Sequence, residues 1–150
     1  MPLRIRVQTD AAGLRSPAPG RALLAAVRRG VRTTLRARRV SHAEISVTLA
    51  GDPAMARMNR RWLGHARTTD VLAFPLYAAG ETVLGDLYIG LDQARRQAKQ
   101  LGVAVREEVA RLAIHGTLHV LGFDHPEGAR REKSEMWRIQ ERILAEVMKP

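Results

Sequence analysis

The run His115-Gly-Thr-Leu-His119-Val-Leu-Gly-Phe-Asp124-His125 constrains this chain more than any other stretch. Leu112, Ala113 and Ile114 precede it, and Leu118, Val120 and Leu121 lie within it, so the segment is apolar almost all round. Such a segment predicts a buried helix. On a helix, a four-residue spacing puts His115 and His119 on one face, one turn apart. Gly122 suits the left-handed conformation that ends a helix, and a chain that turns back there brings His125 to the same point. Three neutral imidazoles at ~2.0–2.1 Å make three corners of a zinc tetrahedron and leave the fourth to water. Asp124 is placed to hydrogen-bond and orient a ligating histidine. Structural zinc sites usually have four protein ligands, often thiolates. This chain has no cysteine, and the expectation is an open, catalytic site.

A buried helix needs a domain around it. The 150 residues suit one domain over 1–150, and 45% hydrophobic with 27% charged residues is a soluble globular balance. No apolar run nears the ~18 residues of a membrane span, and the N-terminus lacks the apolar core of a signal peptide. Missing cysteine removes disulfide scaffolds and thiol nucleophiles, and it permits a cytoplasmic location. Leu3, Ile5 and Val7 alternate with polar residues, as do Ile45, Val47 and Leu49, which predicts two strands. Val71–Leu76 and Val83–Ile89 predict a hairpin. Helices are predicted over about Arg21–Arg38, from Asp52-Pro53 to Gly64 with Met55, Met58 and Trp62 on a core face, and from Asp92 to Gly102. Two more are predicted at about Val105–Leu121 and Ala129–Met148. The order β-α-β-α-β-β-α-α-α implies an α+β domain: a small mixed sheet packed with about five helices, the metal site on a central one.

The charge is uneven. Lys and Arg number 25 against 15 Asp and Glu, a net +10. Residues 1–40 hold ten Arg and one acid. Arg28, Arg32 and Arg36 form a stripe on the first helix, and Arg4 and Arg6 share one face of the first strand. Such a surface suits a nucleic acid backbone.

The histidine spacing is also that of metzincin proteases, but Gly116 stands where they carry the general-base glutamate. That leaves a metallopeptidase reading without its proton acceptor. The run from His115 to His125 resembles the H-G-x-L-H-L-x-G-Y-D-H signature of the YbeY family, bacterial metal-dependent endoribonucleases of ribosomal RNA maturation. Beside that resemblance, a non-catalytic, metal-stabilised ribosome-assembly factor is the other alternative. Thr69-Asp-Val-Leu-Ala-Phe-Pro75 is similar to that family's P-T-D-V-L-S-F-P, and Leu84-Gly-Asp-Leu87 to its L-G-D-I.

The resemblance implies a single-strand-capable endoribonuclease acting in 16S rRNA 3′-end maturation and ribosome quality control. It implies one Zn²⁺ per chain, or another divalent metal, on His115, His119 and His125, with ribosomal RNA and the small ribosomal subunit as partners. Many relatives carry an RNA-cleavage arginine where this chain has Leu63, and Ala66 and Thr68 replace the loop's usual Asp and Pro. Arg60, Arg61 and Arg67 are the nearby candidates to replace that arginine. Arg4, Arg6, Arg28, Arg32 and Arg36 would hold the RNA backbone.

Overall fold

A computed structural model describes residues 2–63, 70–123 and 134–150. Its elements follow the expected order: β1 (Leu3–Asp10), α1 (Arg21–Ala37), β2 (Ala43–Ala50), α2 (Asp52–Leu63), β3 (Val71–Pro75), β4 (Val83–Gly90), α3 (Leu91–Leu101), α4 (Val105–Val120) and α5 (Glu135–Val147). The strands form one mixed sheet in the order β1-β2-β4-β3. The β1, β2 and β4 strands run parallel, and the β3–β4 hairpin supplies the antiparallel edge.

Strand alternation decides which layer each side chain joins. Ile5, Ile45, Val47, Leu49, Leu87 and Ile89 point to one face, where α1 and α4 cover them. Helix α1 contributes Val27, Val31 and Leu35 to this core, and α5 packs across both α1 and α4. Sheet, α1, α3 and α5 thus surround α4, which is why it is apolar on nearly every side. Gly116 sits where α4 meets the sheet: a Cβ there would lie 2.9 Å from a Leu87 methyl and 3.2 Å from Val71.

The other face of the sheet is covered only at one end. There α2 closes a small cluster of Ala50, Ala54, Met55 and Leu72. The expected core face of α2 is only partly core. Met55 is fully buried, but Trp62 is 60% exposed, because the last turn of α2 has no second layer over it.

Asp52 and Asp92 stand at the expected starts of α2 and α3, yet neither carboxylate caps its own helix. The Met55 N–H bonds to the Gly51 carbonyl at 3.1 Å, so Gly51 opens α2, while the Asp52 carboxylate holds Arg96 through two 2.9 Å bonds. Asp92 does not cap its own helix. It accepts from the backbone N–H groups of Arg15 (3.2 Å) and Asp52 (3.1 Å) and from the Ser16 hydroxyl (2.9 Å). Burial pushes the Asp92 carboxyl upward, but these donors and the Arg96 charge outweigh it and hold it below its ordinary value. The last helix is described from Glu135, with Ser134 accepting from the Trp137 N–H as N-cap; the expected start at Ala129 lies outside the described residues.

Candidate active site

The end of α4 forms as its glycine requires. Gly122 has φ 97°, its N–H bonds to the His119 carbonyl at 2.9 Å, and the Phe123 N–H reaches the Leu118 carbonyl at 3.0 Å. These two bonds are a Schellman ending, which turns the chain back beside the last helical turn.

One turn before that ending, His115 and His119 face each other. Their Nε2 atoms are 3.0 Å apart, with ring planes crossing at 78°. His115 is buried and His119 half-buried. The Nδ1 atom of His115 lies 2.7 Å from the Gln140 Oε1 of α5. The Gln140 amide nitrogen donates to Glu141 at 3.0 Å, which fixes the amide with its oxygen toward the imidazole. His115 therefore carries its proton on Nδ1 and turns the Nε2 lone pair toward His119. Two nitrogens on one tetrahedral ion at zinc–nitrogen bond lengths stand about 3.3 Å apart. The pair is close to that spacing, and its donors are of the type zinc takes. The residues present fit the metal.

Beyond Gln140 the bonding continues. Glu141 accepts from Arg111 Nε at 3.1 Å, Arg111 also binds Glu108, and Gln97 of α3 donates to Glu108 at 2.7 Å. Burial alone would lower the Arg111 pKa, yet Glu141 and Glu108 raise it above the ordinary guanidinium value, so the cation stays in place. Thus α3, α4 and α5 are tied together behind the imidazoles. The same residues line a cleft of about 610 Å³, which Asp70, Glu108, Arg111, Trp137 and Gln140 share with His115.

Of the expected site residues, the structure brings His115 and His119 together. His125, Asp124 and Arg67 lie outside the described residues, and among the described residues no three His, Asp or Glu side chains converge as a metal site. Arg60 and Arg61 are on α2, on the opposite face of the sheet from α4, where they line a separate cleft. The Arg28, Arg32 and Arg36 stripe belongs to α1, whose Gly30 packs on Ala110, Ala113 and Ile114 of α4. At 100° per residue, His115 and His119 project from the other flank of α4. Stripe and imidazoles are therefore not on one cleft, and Arg28 donates instead to the Ile5 carbonyl of β1 at 2.8 Å. Arg4 and Arg6 stand exposed on the uncovered sheet face, in register with Glu44 and Ser46.

Sequence reasoning missed Gln140. Its signal was present: with Met136, Ile143, Leu144 and Val147 it falls on the buried side of α5, a polar residue where the helix period calls for an apolar one.

Known proteins match this chain along most of its length. The family described as Endoribonuclease YbeY matches residues 18–148. An Endoribonuclease YbeY of Thermus thermophilus is 40% identical over 140 residues, covering 88% of this chain and 96% of its own. That of Persephonella marina is 38% identical over 125 residues, 81% of each chain. The solution structure of TM1509 from Thermotoga maritima superposes with a TM-score of 0.65 at 24% identity, over 95% of this chain and 88% of that one, and it shares the fold. With the family match running across nearly the whole chain and 40% identity to a relative covered almost end to end, this chain belongs to the YbeY endoribonuclease family.

Proposed function

We propose that this chain is a metal-dependent endoribonuclease that cleaves single-stranded ribosomal RNA. Its roles would be 16S rRNA 3′-end maturation and ribosome quality control in the cytoplasm, with the small ribosomal subunit as partner. The observation that carries the reading is the imidazole pair: two Nε2 atoms 3.0 Å apart on a buried helix, one with its tautomer fixed by Gln140. His115, His119 and His125 hold one zinc ion in a metzincin-like arrangement, and Asp124 orients a ligand. When bound, zinc supplies Lewis-acid stabilisation of a phosphoryl oxygen and activates a nucleophile near neutral pH.

The chain's own residues do the rest. Gln140 and the Glu141–Arg111–Glu108 series keep His115 in one orientation, so the site needs little reorganisation as charge develops. Arg67, three residues before Asp70 of the cleft, is the remaining candidate to neutralise that charge. The metallopeptidase reading loses support at Gly116, where a glutamate side chain would have to displace Leu87 and Val71.

The test is cleavage of a single-stranded 16S rRNA 3′-end fragment, with and without chelator and with zinc restored. Cleavage should require zinc and fall by orders of magnitude in His119→Ala, together with zinc stoichiometry. Parent protein that binds zinc and RNA but leaves the fragment intact would make it an assembly factor, and cleavage that survives chelation would remove the metal from the mechanism.

A further inference from the structure

The uncovered face of the sheet carries a second cleft, of about 510 Å³, where α2 overhangs β2 and β4. Arg57, Arg60 and Arg61 line it with Trp62 and Tyr88, against one acid, Asp10. The aromatic residues are braced in series. Trp62 meets Phe74 edge to face with ring centres 6.1 Å apart, and Phe74 meets Tyr88 in the same way at 5.9 Å. Arg61 holds its guanidinium 5.2 Å from the Trp62 ring centre. Despite this bracing, Trp62 remains 60% exposed.

A fixed indole plate beside three arginines sets two demands on an occupant: negative charge at close intervals and a flat π-face. Single-stranded RNA meets both, since its phosphates match the arginines and its bases stack on aromatic rings regardless of sequence. A duplex meets only the first, because its bases are already stacked on one another. We propose that Trp62, with Arg57, Arg60 and Arg61, forms a base-stacking subsite for single-stranded RNA on the sheet face opposite the imidazoles. This rests on the endoribonuclease reading and adds what selects the strand. Edge strand β3 separates the two clefts: Phe74 faces the Trp62 side, while Val71 faces α4. In this arrangement, a strand that rounds this edge would set bases on Trp62 and bring a phosphate further along the chain to His115 and His119.

The test is fluorescence anisotropy with a labelled oligoadenylate and with an abasic ribose-phosphate oligomer of equal length, the oligonucleotides checked for integrity on a gel. Trp62→Ala should weaken oligoadenylate binding about tenfold, the loss of one stacked base. Trp62→Leu, which keeps apolar bulk without a π-face, should lose as much, whereas Trp62→Phe should bind nearly as the parent does. The abasic oligomer should bind weakly and equally to all four proteins. Equal oligoadenylate affinity for parent, Ala and Leu variants overturns the proposal, as does equal loss on both oligomers. A polyglutamate peptide whose binding depends on Trp62 as strongly as oligoadenylate would also overturn it, in favour of an acidic protein partner. The two readings fail separately. Parent protein that cleaves RNA while Trp62→Ala binds normally loses only the subsite, and parent protein that binds through Trp62 without cleaving loses only the enzymatic reading.

Discussion

Gln140 decides which nitrogen of His115 is available. Its amide oxygen accepts from the Nδ1–H at 2.7 Å, and Glu141 keeps the amide from rotating. Without that acceptor the ring can place its proton on Nε2, where it blocks a metal. Outer contacts of this kind typically carry 10–100-fold in metal affinity. Gln140→Leu should therefore weaken zinc binding by about that factor, read by chelator competition. Nitrogen NMR of the metal-free protein should show His115 losing its single Nδ1–H tautomer. Gln140→Glu keeps an acceptor and should recover most of the affinity. Zinc affinity equal to the parent's in the Leu variant would mean that the imidazole is oriented by packing alone.

Asp92 acts at the scale of elements. One carboxylate joins the loop at Arg15 and Ser16, the start of α2 at Asp52 and its own helix α3, with Arg96 alongside. Because these donors hold its folded pKa below the ordinary ~3.9, its stabilising contribution is complete above that value and is lost as pH falls through the folded one. Asp92→Asn should destabilise the domain by about 2 kcal/mol at pH 7, the range for a charged hydrogen-bonded group. Urea unfolding should show this deficit shrinking below about pH 4; an equal deficit at pH 7 and pH 3 would mean that shape, not charge, sets it. Asp92 also marks the limit of reading elements from sequence. The strands, the helices and their order were legible because period-two and period-3.6 patterns are local. The His115–His119 pair was legible because helical spacing alone faces the two rings. Asp92, Gln140 and Trp62 were misread or missed because their surroundings are tertiary. Asp92 bonds residues far away in sequence, Gln140 finds its partner on another helix, and Trp62 falls on the apolar side of α2 beyond the edge of what that helix covers.

At the scale of the whole molecule, with its net charge of +10, two groups of three arginines stand out. Arg57, Arg60 and Arg61 lie on α2, over the sheet face that carries Thr48 and Tyr88, while Arg28, Arg32 and Arg36 lie on α1 over the other face, with Arg28 tied to edge strand β1. These are opposite faces of the sheet, and α4 separates α1 from the imidazole side. On the proposed function, a short oligonucleotide seated on the α2 face would not touch α1, whereas a long ribosomal RNA fragment would span both faces. Each phosphate contact on a single strand contributes about 0.7 to the slope of log affinity against log salt. Replacing Arg28, Arg32 and Arg36 together by Gln should then lower the slope for a long fragment by up to about 2 and leave that for a short oligonucleotide unchanged. Titrations at several salt concentrations with both lengths decide it. An equal fall for both lengths would place the stripe on the path of the scissile strand. No fall for either would make α1 a solvated face whose arginines touch no RNA. The length dependence is the discriminating quantity because both arginine groups attract the same polyanion, and only the span of chain needed to touch both distinguishes one face of the sheet from the other.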